Sequence, residues 1–406
     1  MTALAELDLP HLAMDEPQFA ADPMPQFAAA KERHPWLAQS AFGLVVTDYR
    51  AMRELLIDDA RLRPSYDGIV QLMQAEGTPW GRFTEEQMIA LPASQHAVLR
   101  GLFAPRFTPR YANQMRGIMQ ETISDLLDEW APKGAFDFED FAALFPISVM
   151  FRLVGAPVAE VPKIRWALET HGLAFGMNPD HIPAVQEAVA TEDEFVQRIV
   201  AERRANRDHE GGEDLLDLLL EAAEEGAITD RQLYDVLIFV FVAGYDTSKN
   251  VLTYMMYLMT QNPEIYRRCA EDLDYCRKVV EEMLRYFNPG TTFRFTNAEM
   301  EYRGVTLPKD TMLFFPLSVS GRDPGTFADP ERFDPERPIE AESRHIAFGL
   351  GKHMCLGQYI ARAQLQEGLH LIARRIREPK TPGPRAWRPF FGVWGIKGLP
   401  IEFTPG

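Results

Sequence analysis

Cys355 sits in the segment FGLGKHMCLG, residues 348–357, with glycines at 349, 351 and 357 and a helical pattern directly afterwards. A helix N-terminus offers unpaired N–H groups and partial positive charge, which favour a thiolate over a thiol. Glycines let the backbone approach a bulky planar group without Cβ clashes. Such a segment suits a single thiolate ligand to a metal whose other ligands are not protein. Two further readings stand beside it. One is a nucleophilic cysteine with His353 as its base; the other is a glycine-rich loop whose cysteine has no chemistry. Cys269 and Cys276 are seven apart on a helical pattern with no further ligands at short spacing, and they read as ordinary structural thiols.

A second constellation is Asp246-Thr247, which follows the apolar run VLIFVFVAG. A carboxylate and a hydroxyl buried unpaired in such a helix cost kilocalories, so their presence invites a functional explanation. The bland alternative is a helix kink in which the threonine hydroxyl bonds back to a carbonyl.

The elements that must hold these groups are mostly helices. Apolar spacing of three and four predicts helices over 115–130, 184–204 and 213–224. Thr229 with Gln232 forms a capping-box pattern that opens the longest helix, which runs to Thr260 and stops before Asn262-Pro263. At about 1.5 Å per residue it is a rod of roughly 46 Å. Shorter helices follow over 275–287 and 356–377, and one capped by Thr47 or Asp48 runs to about 58. Strands are expected over 41–46, then 302–307 and 311–317 joined through Pro308-Lys309-Asp310 as a hairpin, with another hairpin near 392–400. Four prolines make 322–338 meander, and Pro146 and Ser148 break the apolar run 141–151. The stretch 66–93 reads as an irregular functional lid.

Composition narrows the function classes. The chain has 406 residues, 46% of them hydrophobic and 25% charged, and a net charge of −17. That balance describes a globular protein and excludes disorder and a basic nucleic-acid binder. Three cysteines exclude a disulfide framework. The N-terminus lacks a basic n-region and a long apolar h-region, and the most apolar run, 236–243, is far shorter than the roughly 20 residues of a membrane span. The expectation is a cytoplasmic protein.

Four motifs in order carry a family resemblance. Phe348, Gly351, His353, Cys355 and Gly357 resemble the haem-binding loop of the cytochrome P450 superfamily, soluble bacterial type. Glu282-Met283-Leu284-Arg285 is similar to its Glu-x-x-Arg helix, and Pro330-Glu331-Arg332-Phe333 to its meander motif. Ala243-Gly244-Tyr245-Asp246-Thr247 resembles its oxygen-activating segment. The resemblance implies a mainly α fold with minor sheets, one domain over 1–406 enclosing haem b (iron protoporphyrin IX), and a haem-thiolate monooxygenase. It makes Cys355 the iron ligand, with the amides of Leu356 and Gly357 stabilising the sulfur charge, Gly349 among the cofactor-binding residues and Phe348 packed on the thiolate side of the ring. It makes Asp246 and Thr247 the proton-delivery pair, with Ala243 and Gly244 leaving room beside the iron. His96, Arg100, Arg294 and His353 become propionate partners, and Glu282, Arg285 and Arg332 a salt-bridged scaffold triad.

Position relative to these motifs places Trp80, Phe83, Phe239, Val242, Thr291, Thr292, Phe293, Phe391 and Val393 near a substrate. None is charged, which points to an apolar, small to medium organic molecule such as a terpenoid, aromatic or steroid. The expected partners are O2 and a ferredoxin-type donor, since no reductase domain is recognisable, with no nucleic acid or membrane and a monomeric state. Docking an acidic donor would need a basic patch, for which Arg106, Arg110, Arg344, Lys352 and Arg362 are the candidates. A peroxide-driven or isomerising enzyme, or a non-catalytic haem protein, is the rival reading, disfavoured by the Asp246-Thr247 pair.

Overall fold

The computed structural model describes residues 2–206, 214–383 and 385–406. It divides into two compact units. The first comprises Met1–Ser65, Lys278–Cys355 and Arg385–Lys397; the second comprises Tyr66–Arg277, Leu356–Pro384 and Gly398–Gly406. Helix dominates the chain and the sheets are small, as the fold class expected.

The first unit holds a five-stranded sheet in the order Leu37–Gln39, Leu44–Val46, Met312–Phe315, Thr292–Thr296, Leu62–Arg63. Only the pair Leu44–Val46 with Met312–Phe315 is parallel. Trp36, Tyr49, Leu313, Phe315 and Phe327 lie in its core. Asp48, not Thr47, caps the helix Tyr49–Leu56 by accepting from the Ala51 amide. Two strand expectations change. The run 302–307 is itself a hairpin, Met300–Tyr302 against Val305–Leu307, because Arg303 (φ 45°) and Gly304 (φ 82°) turn the chain. Met312–Phe315 therefore pairs with Leu44–Val46 and Thr292–Thr296, and Pro308-Lys309-Asp310 links two sheets. The tail pairing is Ala386–Trp387 with Ile396–Lys397. The meander 322–338 contains no helix or strand.

In the second unit the long helix is Asp230–Gln261, with both bonds of the Thr229–Gln232 capping box formed. It packs on Phe138–Val154, which continues without a break past Pro146. That helix is buried on nearly every face, and packing outweighs the local cost of its proline. Arg116–Trp130, Ile182–Ala205 and Leu215–Glu224 match the expected helices, except that the expected start at Glu213 lies outside the described residues. The stretch 66–93 is not irregular: Asp67–Leu72 and Pro79–Glu86 are helices. Thr78 accepts from the Gly81 amide and Pro79 occupies the first turn, so the residues that read as breakers are a helix start. Gly81 is required there because a Cβ would lie 2.2 Å from the Ala75 carbonyl oxygen. Pro400–Pro405 pairs with Ile376–Lys380 and Ala135–Asp137. Among the described residues no helix is long and apolar enough to cross a membrane.

Candidate functional site

The first unit carries the thiol. Cys355 is exposed, whereas Cys269 and Cys276 are buried. Its amide donates to the Phe348 carbonyl at 2.8 Å, and the Gly349 amide donates to Ile346 at 2.9 Å, which closes the loop on itself. Gly349 has φ +69°, a left-handed conformation that a side chain would strain. His353 ends the short helical turn Gly351–His353. Among the described residues no group of three or more His, Cys, Asp or Glu could hold a metal ion. A metal on Cys355 would thus draw its other ligands from a non-protein group, and an exposed thiol on a closed glycine loop fits one. Its contact with Cys269 and its burial push the Cys276 thiol well above its ordinary range.

On the strand Thr292–Thr296, Arg294 is buried and donates to the Phe293 carbonyl at 2.7 Å. Phe293 meets Phe314 at 6.4 Å between ring centroids, Phe314 meets Phe391 at 5.0 Å, and Val393 bridges to Gly290. The structure therefore brings 292–293 and 391–393 together. Phe391 is buried and also packs edge-on to Phe42, so its ring serves the core of this unit.

The scaffold triad changes one member. Arg285 pairs with both oxygens of Glu282 at 2.7 Å, and all of these groups are buried. The side chain of Arg332 is 70% exposed and faces Asp334; only its carbonyl accepts from Arg285. The third member is Arg337, 3.4 Å from Glu282. The sequence carries Pro-Glu-Arg twice, at 330–332 and 335–337, and the meander folds the second onto the helix.

The second unit carries the acid–alcohol pair. Along the long helix nearly every residue from Val236 to Met259 is buried. Phe239, Ala243 and Thr247 break that pattern at intervals of four, and Ala243 and Thr247 are exposed. These three form an open stripe along one face. The Thr247 hydroxyl donates to the Ala243 carbonyl at 3.1 Å, the back-bond of the bland alternative. Gly244 does not belong to the stripe. Its Cβ would meet Met150 at 2.8 Å, so its smallness serves the packing of the two helices, which corrects its assignment to the cofactor. Val242 is buried.

Asp246 is buried beside the stripe. Lys249 Nζ is 2.6 Å from its Oδ1, and Asn250 Nδ2 donates to the same oxygen at 3.1 Å. Tyr245 donates to Glu169 at 2.5 Å. Burial raises the Glu169 pKa, yet that hydroxyl and the Arg165 guanidinium outweigh it and hold the carboxyl below its ordinary range. The sequence reading missed Lys249, Asn250 and Glu139. The signal available was a lysine inside an apolar helical run, at 249 before VLTYMM.

His96 and Arg100 lie one turn apart on the helix Ala93–Phe103, with His96 buried. Trp80 and Phe83 are buried on Pro79–Glu86, Phe83 edge-on to His171 at 5.3 Å. Of the basic candidates, Arg110 and Arg344 are exposed, Arg106 lies over the Tyr111 ring, and Arg362 bonds to Gln358. Lys352 is paired with Asp59 at 3.5 Å.

A family model described as Cytochrome P450 matches residues 165–378. Luteothin monooxygenase of Streptomyces thioluteus is 32% identical, over 98% of this chain and 96% of its own. Cytochrome P450 monooxygenase PikC of Streptomyces venezuelae is 29% identical, over 98% and 95%. Among solved structures, epothilone B-bound cytochrome P450epoK superposes with a TM-score of 0.87 at 24% identity, covering 97% of this chain and 100% of that one.

Proposed function

The chain belongs to the cytochrome P450 family and is a cytochrome P450 monooxygenase, and from that premise we propose that it hydroxylates a small-to-medium apolar organic molecule with electrons from a separate ferredoxin-type protein. The proposal treats 1–406 as one catalytic domain, monomeric and cytoplasmic, with haem b as its cofactor. Cys355 would hold the haem as a thiolate, and the haem would supply the oxygen activation, which a thiolate ligand favours.

The chain's own residues do the rest. The amides of Leu356 and Gly357 orient toward the sulfur charge and Phe348 keeps water from it. His96, Arg100, Arg294 and His353 would hold the propionates with charge-assisted hydrogen bonds. Thr247 holds its hydroxyl at the open stripe and releases its back-bond to Ala243 to pass a proton that Asp246 supplies. Trp80, Phe83, Phe239, Val242, Thr292, Phe293 and Val393 orient an apolar substrate, and Arg110, Arg344 and Lys352 are the exposed basic candidates for an acidic donor.

The observation that carries the reading is the stripe Phe239–Ala243–Thr247, in which exposed Ala243 and Thr247 interrupt a largely buried run of the long helix, with a buried carboxylate next to it. The test is a carbon monoxide spectrum of the reduced protein, followed by a spin-shift screen against a panel of apolar ligands. A thiolate-type Soret band is expected, absent in Cys355→Ser; a wild-type protein without that band overturns the reading.

A further inference from the structure

Lys249 is among the largest fully buried side chains of the molecule. An ammonium is among the costliest groups to remove from water unless it is paired. It lies 2.6 Å from Asp246 Oδ1 and 3.6 Å from Glu139 Oε1, with the Tyr245 ring centroid at 5.2 Å. Tyr245 ties this group to Glu169, which Arg165 pairs at 2.9 Å. A buried cation between two carboxylates is not needed for packing, where an apolar side chain of equal volume serves as well or better.

The two carboxylates differ in a way that gives the arrangement a direction. Asp246 has a side-chain exposure of 9% and Lys249 of 1%, whereas Glu139 reaches 14% at the start of Phe138–Val154. Glu139 Oε2 is fixed by the Gly398 amide at 2.6 Å, which leaves Oε1 toward Lys249. Asp246 Oδ1 is held by Lys249 and Asn250, and Oδ2 faces Gly172, whose missing Cβ would lie 3.3 Å away.

We propose that Lys249 is the positioning and relay residue of the proton supply, connecting Asp246 to solvent through Glu139. This rests on the reading of Asp246 as the acid behind Thr247. The Lys249 ammonium passes a proton to the Asp246 carboxylate, which hands it on to Thr247. The Glu139 carboxylate takes a proton from water at the surface and returns it to the Lys249 amine, so that the two carboxylates and the ammonium are restored. Over the cycle one proton enters, every group returns to its starting state, and no electron moves through the relay. A lysine suits the position because it carries three donors and can release one, which a guanidinium cannot.

The test uses the haem-loaded protein driven by a surrogate ferredoxin and ferredoxin reductase, with a ligand that gives a spin shift. It reads hydrogen peroxide released per electron consumed, and the solvent deuterium isotope effect on that ratio. Lys249→Met and Glu139→Gln are expected to raise the peroxide share by roughly threefold or more, with the carbon monoxide band unchanged. Glu139→Gln keeps the shape at the edge of the site and holds the test open if Lys249→Met folds poorly. A readout independent of turnover is the 15N resonance of the Lys249 ammonium in lysine-labelled, carbon monoxide-bound reduced protein. It is identified by its loss in Lys249→Arg and is expected to move in both Asp246→Asn and Glu139→Gln. Wild-type coupling in Glu139→Gln, or a resonance that Glu139→Gln leaves in place, overturns the relay. If Asp246→Asn itself stays fully coupled, the assignment of Asp246 as the acid fails, and the relay fails with it.

Discussion

The molecule buries two ion clusters of opposite character, one acid between two arginines and one lysine between two acids. In the first unit Arg285 uses all five N–H groups: two on Glu282, and one each on the carbonyls of Gly321, Pro330 and Arg332, at 2.7–3.0 Å. In the second unit Lys249 has one close carboxylate at 2.6 Å, a distant one at 3.6 Å, and an aromatic face. A guanidinium in a rigid fork with every donor spent fixes geometry and cannot give up a proton. An ammonium with loosely shared partners can. A saturated buried network is thus a scaffold, and a sparse one beside an open helical stripe is suited to moving charge.

The comparison breaks first at Arg285. Arg285→Ala strands Glu282 and three carbonyls inside the first unit, at a cost of roughly 3–5 kcal/mol. Little haem-loaded protein is expected, measured as the carbon monoxide band per unit of purified chain. Near-normal loading would show that the saturated cluster is not a scaffold. The next largest effect separates the two Pro-Glu-Arg segments. Arg337→Ala removes bonds to Glu282 and to the carbonyls of Asp329 and Arg332, and is expected to lower the thermal midpoint by the equivalent of about 1–3 kcal/mol. Arg332→Ala removes an exposed side chain and should fall within about 0.5 kcal/mol of wild type. Equal losses would restore Arg332 to the cluster.

That pair of arginines also marks what the sequence could express. The capping box at Thr229, the long helix behind it, Glu282-x-x-Arg285 and the glycines around Cys355 are local patterns, and each stands where spacing placed it. What failed was non-local. Which of two identical tripeptides meets Glu282 depends on the path of an irregular meander that no periodicity encodes. Proline and glycine in 66–93 have a double meaning, and Thr78-Pro79 with Gly81 turned out to start a helix. Gly244 reads as a cofactor residue in the sequence because nothing there places Met150 against it. Lys249 was missed because a charge in an apolar helix announces its cost but not its partner, and Glu139 is more than 100 residues away in the chain.

The smallest and most discriminating effect is expected at Gly172, the last residue of the helix Val161–Gly172. Its backbone lies at φ −57° and ψ −23°, ordinary for alanine, so Gly172→Ala should recover part of the helix propensity that glycine forfeits, at most about 1 kcal/mol. The new Cβ would sit 3.3 Å from Asp246 Oδ2, so the carboxylate must move by a few tenths of an ångström while Lys249 and Asn250 hold its other oxygen. A scaffold contact would register that crowding in stability. A proton-transfer atom registers it in coupling, because transfer depends on the donor–acceptor separation. The expected outcome is a thermal midpoint equal to or slightly above wild type, an unchanged carbon monoxide band, and a peroxide share raised roughly twofold, the equivalent of about 0.4 kcal/mol. A lower midpoint with unchanged coupling would place Asp246 in the same class as Glu282, a carboxylate that holds the fold and carries no proton.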